Sequence, residues 1–246
     1  MAEGMVEWLI EIGRRLDMPL PELALSRFSD YVRLLREWNE KVNLTAILDD
    51  EGIAVRHLLD SLTLLPWLAS CPPRDPNFGL TLIDVGTGAG FPGLPLKIVR
   101  PDLQVLLLDS LAKRIKFLDQ VITDLRLEKI STLHGRAEEA ARQPDLRDRF
   151  DIATARAVAS LPTLCEYCLP FVRVGGCFLA MKGQAAQEWS EAQKAIKILG
   201  GEIANVHEFD LPGTDMKRTI IRICKVRPTP SAYPRKAGKP EKLPLV

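Results

Sequence analysis

From Thr81 onward the chain alternates short apolar runs with helical segments, and that rhythm restricts the fold more than any single residue does. "TLIDVG", "QVLLLDS", "ISTLHG", "FDIATAR" and "GCFLAMKG" read as strands. "GLPLKIVR", "AKRIKFLDQVITDL", "AEEAARQ", "SLPTLCEYCLPFV" and "QEWSEAQKAIKILG" read as the helices that follow them. Strands that are apolar throughout are buried on both faces, so they belong to a parallel sheet covered by helices on both sides. The last two strand segments, "EIANVHEFDL" and "RTIIRICKV", have no helix between them and can be neighbours only as an antiparallel hairpin. The expected fold is therefore α/β, a Rossmann-like doubly wound sheet, mostly parallel, with a terminal antiparallel hairpin.

The first seventy residues have a different period. Leu25, Phe28, Val32, Leu35 and Trp38 recur at three- and four-residue steps, which is the core-facing stripe of a helix. "GIAVRHLLDSLTLLPWL" is a second amphipathic segment, and "CPPRDPNFG" then breaks the pattern with three prolines and a glycine. The last residues, "RPTPSAYPRKAGKPEKLPLV", hold five prolines and no periodicity, so an extended arm is expected. The division expected is 1–75 as a helical cap, 76–227 as the α/β domain and 228–246 as an extended, basic, proline-rich tail.

Composition excludes several classes. No apolar run is long enough to span a bilayer, and the first residues carry glutamates where a secretory signal would be basic and then uninterruptedly apolar. A cytoplasmic protein is expected. The five cysteines are odd in number, so no disulfide framework is expected. "CEYC" has metal-ligand spacing but no second pair, and reads as two small apolar thiols on one helix face, with no metal. Net charge is only +1, yet from Arg222 onward seven cations face a single acid, Glu241. A positive segment on a neutral body points either to a polyanionic partner or to a solvated tail.

The sharpest local signal is "LIDVGTGAGFPGLPL", Leu82 to Leu96. Its glycines, Gly86, Gly88 and Gly90, follow a strand ending in Asp84, at the strand end where such sheets bind ligands. Alternate glycines let the backbone turn sharply and approach a ligand closely. In G-x-G-x-x-G the third glycine would fall at 91, which is Phe91, so pyrophosphate on a helix end is disfavoured. The second strand ends in Asp109, placed to accept from two ribose hydroxyls. Ala137, Glu138 and Arg156 stand at the ends of the next strands, where they complete a nucleoside site. Taken singly, each acid also reads as a helix cap.

"WNEKVNLT", "RHLLDSL", "DVGTGAGFPGLPL", "LLDSLAKRIKFL", "ARAVASL", "KGQ" and "YPRKAGKPEKLPL" stand in this order along the chain. Together they resemble the bacterial small-subunit ribosomal RNA methyltransferases also called glucose-inhibited division protein B. The resemblance implies a class I S-adenosylmethionine-dependent methyltransferase fold with a helical N-terminal cap. It also implies methylation of N7 of one guanine in 16S ribosomal RNA. It puts the cofactor against Asp84, Gly86, Gly88, Gly90, Phe91, Asp109, Ser110, Ala137, Glu138 and Arg156. One departure is Ala89, where many members have proline.

N7 of guanine has a free lone pair and needs no general base, and none of His57, His134 and His207 falls in a nucleophile–base pattern. Lys182, at the end of the fifth strand, and Lys217 and Arg218, in the turn before the last one, are candidate phosphate contacts or solvated turn residues. Tyr233, Arg235, Lys236 and Lys239 make the tail a candidate RNA arm, with the Tyr233 ring free to stack on a base. Asn39, Asn43 and Thr45 are expected to cap a helix or to read a base edge, capping being the safer reading. No catalytic acid or base is assigned, Arg156 and Lys182 serving to position. A monomer is expected. The same fold acting on another RNA, a protein or a small molecule stays open, as do an NAD-dependent oxidoreductase and a non-catalytic RNA-binding protein.

Overall fold

The computed structural model describes residues 2–156, 159–183 and 188–246. Seven strands form one sheet: β1 (Thr81–Val85), β2 (Gln104–Asp109), β3 (Ile130–His134), β4 (Phe150–Arg156), β5 (Val172–Lys182), β6 (Gly201–Asp210) and β7 (Lys217–Lys225). Their spatial order is β3-β2-β1-β4-β5-β7-β6. The first five are parallel, and β7 runs antiparallel between β5 and β6, as the missing crossover requires. In the terminal hairpin Ile203 pairs with Ile223 and Asn205 with Arg222, so Ala204 is an extra residue, a β-bulge. Lys217 and Arg218 open β7, not the turn before it, because they pair with Asp210 and Phe209.

The cap comprises α1 (Ala2–Arg15), α2 (Glu22–Val42), α3 (Asp50–Gly52), a π-helical stretch (Ile53–Leu59), α4 (Asp60–Leu62) and α5 (Leu65–Leu68). The expected single helix over 52–68 is thus broken. The Asp60 N–H bonds to His57 and Val55 carbonyls, the wide turn of a π-helix. Pro66 starts a fresh helix where it cannot continue the old one. At the other end, the Asp49 side chain accepts from Gly52 N and caps α3.

The sheet helices are α6 (Gly93–Val99), α7 (Ala112–Asp124), α8 (Ala137–Ala140), α9 (Leu161–Cys168), α10 (Glu188–Glu191) and α11 (Gln193–Ile198), with α12 (Lys239–Lys242) in the tail. Side chains alternate between two apolar layers. Leu82, Leu107, Ile152 and Leu179 face the cap, α6 and α7, whereas Ile83, Leu108, Ala153 and Phe178 face α9 and α11. Burial on both faces is why these strands read as unbroken apolar runs. The cap shares the first layer. Tyr31 of α2 lies 6.4 Å from Phe117 of α7, and Trp38 lies 5.8 Å from it.

Cys71 and Cys177 are joined by a disulfide, against the expectation of unpaired thiols. The link ties the end of the cap to β5 across 106 residues of sequence, a distance over which spacing carries no signal. Cys165 and Cys168 are free and fully buried on α9, as apolar thiols.

The tail is not an extended arm. Arg147 donates to the carbonyls of Thr229 and Tyr233, and Arg142 to that of Pro234. Arg235 forms a bidentate pair with Glu166, which is buried on α9. The Gly238 N–H reaches Glu138 Oε1 at 2.8 Å, and Thr163 Oγ1 donates to the Pro240 carbonyl. Five prolines stiffen the segment without helix or strand period, and ion pairs and carbonyl contacts hold it instead.

Candidate active site

The glycine loop begins where β1 ends. Gly86, Gly88 and Gly90 have φ of 72°, 63° and 103°, a region that L side chains avoid. The N–H groups of Gly86 and Thr87 donate to Leu108 O, and Gly88 N–H donates to Asp109 Oδ2 at 2.9 Å. The loop is thereby strapped to the end of β2. Asp84 is its internal strut: Oδ2 accepts from Thr87 Oγ1 and from Gly93 N. Asp84 is fully buried, and desolvation pushes its carboxyl up to about 6. Its other oxygen, Oδ1, is buried without a partner among the described residues.

Two cavities flank the loop. The first, of about 160 Å³, is lined by Gly86, Asp109, Ser110, Ala137, Glu138 and, unexpectedly, Tyr167 and Glu241. Asp109 enters it from the end of β2, held by the N–H groups of Gly88 and Leu111 and by Arg114. A Cβ built on Gly88 or Gly135 meets nothing within 4 Å, so open space lies over both backbones. A carboxylate beside glycines with free space above them suits a ribose with a ligand tail against the backbone. The residues present therefore fit an adenosine-type cofactor.

The second cavity, of about 340 Å³, lies between the cap and the ends of β5 and β7. Arg56, His57 and Asp60 line it from the broken cap helix, and Arg156, Lys182 and Arg218 line it from the sheet. Asp60 binds both sheet arginines, Arg156 Nη1 at 3.1 Å and Arg218 Nε at 2.8 Å. Arg156 Nη2 also lies 3.2 Å from His57 Nδ1. Arg156 has no acceptor role, so it donates; the His57 proton is then on Nε2, directed to Thr45 Oγ1 at 2.9 Å. Burial, then the Arg156 charge, pushes the His57 imidazole down to about 4, so the ring is neutral at pH 7.

Phe91 joins the two cavities. Its ring stacks on His57 at 4.4 Å and carries the Arg156 guanidinium 5.1 Å above its centroid. The same loop that lines the first cavity at Gly86 thus ends against the wall of the second. Tyr31 anchors it from the cap by donating to the Ala89 carbonyl.

The family model of GidB, rRNA small subunit methyltransferase G, matches residues 24–220. The ribosomal RNA small subunit methyltransferase G of Acetivibrio thermocellus is 54% identical over 237 residues, 96% of this chain and 95% of its own. That of Geobacillus kaustophilus is 50% identical over 92% of this chain and 93% of its own. The chain belongs to the GidB family. Its fold is also that of more distant methyltransferases. The solved geranyl diphosphate C-methyltransferase of Streptomyces coelicolor superposes with a TM-score of 0.53 at 13% identity, over 80% of this chain and 98% of that one.

In this GidB chain the expected cofactor residues are divided. Gly86, Asp109, Ser110, Ala137 and Glu138 share the first cavity. Arg156 lies in the second, with Phe91 packed against it. Asp84 and Gly90 sit beneath the loop, where a Cβ on Gly90 would strike the Leu94 side chain. Of the expected RNA contacts, Lys182 and Arg218 line the second cavity, Lys182 also pairing with Glu188 at 2.8 Å. Lys217 is exposed and paired with Asp210, whereas Lys236 and Lys239 are exposed on the tail. Tyr233 packs into the apolar layer over α9, and Arg235 is taken by Glu166, so neither is presented outward. Asn39 Oδ1 caps the end of α2 through the N–H groups of Leu44 and Thr45, with Asn43 left-handed at φ 50°. Asn39 therefore caps the C-terminus of α2, whereas Thr45 Oγ1 accepts from Ile47 N and contacts His57. His134 contacts the Ser110 carbonyl, and His207 stacks on Phe209. Ala157, Val158 and Gln184, within "ARAVASL" and "KGQ", lie outside the described residues. Asp60 was visible in "RHLLDSL" but unassigned; Glu241 and Tyr167 gave no local signal.

Proposed function

We propose that the protein transfers the methyl group of S-adenosylmethionine to N7 of one guanine in the 16S RNA of the small ribosomal subunit. Membership of the GidB family carries the reading. The geometry supports it, because one glycine loop links a carboxylate-lined cavity to a cation-lined one. Gly86, Gly88, Asp109, Ala137 and Glu138 would hold the cofactor, which supplies an electrophilic methyl on a sulfonium. The guanine would enter the second cavity beside Phe91 and His57.

Attack by the N7 lone pair needs no base, so the residues here act by alignment. The purine becomes cationic as N7 takes the methyl. A neutral His57 adds no charge against it, and Asp60 offsets the nearest guanidinium groups. Arg56, Lys182 and Arg218, with Lys236 and Lys239 on the tail, would contact phosphates. No helix among the described residues is long and apolar enough to cross a membrane, and action in the cytoplasm on ribosomal RNA, as a monomer, completes the proposal. The test is to map N7-methylguanine in small-subunit RNA from cells with and without the gene, alongside label transfer from S-adenosylmethionine in vitro. Label appearing in protein or metabolite and not in that RNA sinks the reading.

A further inference from the structure

The C-terminal segment reaches the first cavity. Its path is fixed by buried polar groups on the body: Glu166 accepts from Arg235, Glu138 accepts from the Gly238 N–H, and Thr163 Oγ1 donates to the Pro240 carbonyl. These contacts set α12 beside the cavity, where Glu241 becomes part of its lining together with Asp109. Three carboxylates then face one small space, and they are engaged to different degrees. Asp109 accepts three hydrogen bonds, and Glu138 gives one oxygen to Gly238. Glu241 is exposed, and no hydrogen bond or ion pair engages it among the described residues. Tyr167 lines the same space. Burial pushes its hydroxyl up to about 12, with the charges of Glu138 and Glu241 adding to the shift.

We infer that the tail is a wall of the cofactor site and that Glu241 accepts a hydrogen bond from the exocyclic amine of the adenine. The inference rests on the first cavity being the cofactor site. It follows from which acceptors are spent: Asp109 is placed for the ribose, Glu138 is tied to the tail backbone, and Glu241 alone keeps its full acceptor capacity. The one acid in an otherwise cationic segment thereby has a use that RNA binding would not give it, since a carboxylate beside a phosphate is repelled.

The experiment compares Glu241→Ala, a chain ending at Ala237 and Gly88→Ala with the wild type. Binding of S-adenosylhomocysteine is measured by calorimetry, and binding of a small-subunit RNA fragment without cofactor by anisotropy. Glu241 is exposed, so its loss leaves folding intact, and the chain ending at Ala237 keeps the Arg235–Glu166 anchor. Both are expected to raise the Kd for S-adenosylhomocysteine about tenfold or more, the worth of a charge-assisted hydrogen bond. Glu241→Ala is expected to leave RNA affinity unchanged. Wild-type cofactor affinity in Glu241→Ala, with Gly88→Ala impaired, overturns the inference alone. Wild-type affinity in Gly88→Ala overturns the reading of the cavity.

Discussion

His57 shows how far a single residue's role depends on partners remote in sequence. From the sequence His57 reads either as a satisfied helix histidine or as a residue facing the site from the cap, and it is packed against Phe91. Its ring is nonetheless also the wall of the second cavity, because Arg156, 99 residues away, donates to it. Its pKa falls from 6.5 to about 4 on folding, so between those values the unfolded chain binds more protons. Stability from this group is full above pH 6.5 and is lost as pH falls toward 4. Asp84 acts in the opposite sense. Its raised pKa of about 6 stabilises the fold below 3.8 and is lost as pH rises through 6. The two slopes oppose each other between pH 4 and 6. Chemical denaturation of wild type and His57→Gln across that range is expected to show the wild type's relative stability rising with pH. A difference that stays flat contradicts the neutral imidazole. Gly86 and Asp109 were legible in the sequence because their roles follow from local backbone and strand-end position. The cluster of Asp60, Arg156 and Arg218 was not, since its members are 96 and 158 residues apart.

At the level of elements the strands were readable and the cap helices less so. Apolar runs between two helix layers announce themselves, and every expected strand is present. The π-helical stretch at 53–59 left no mark, because it changes hydrogen bonding without changing the apolar period. The glycine loop divides into two jobs that the sequence writes identically. Gly90→Ala puts a Cβ against Leu94 and Leu118 at a φ of 103°, and is expected to cost about 3 kcal/mol by overpacking and strain. Gly88→Ala meets open space, so it should cost only about 1–2 kcal/mol for its left-handed backbone. Its methyl instead projects into the room expected to take the ligand. Urea titration with cofactor-analogue binding separates the two; equal stability losses would contradict this division.

Over the whole molecule, the contacts hardest to foresee join distant ends of the chain. The tail was expected to extend because its composition lacks periodicity, yet acceptors already buried on α9 and α8 capture it. The Cys71–Cys177 disulfide is similar, closing a loop over 106 residues. Thiol titration of the denatured, unreduced protein should find three free cysteines of the five. Reduction is expected to lower stability by about 5 kcal/mol on the chain-entropy account, and Cys71→Ser to show no further loss in reductant. Five titratable thiols before reduction would refute the bond.

The bulge at Ala204 sits on β6, an edge strand of the sheet whose far side pairs with no strand among the described residues. An unpaired edge of ten residues is a template on which a second copy can add its own strand. One surplus residue twists that edge and breaks the row of donors and acceptors a stranger would need. Deleting Ala204 straightens the row, and sedimentation should then find stronger concentration-dependent self-association than in the wild-type chain. On this view a local misfit in the hairpin protects the protein against aggregation.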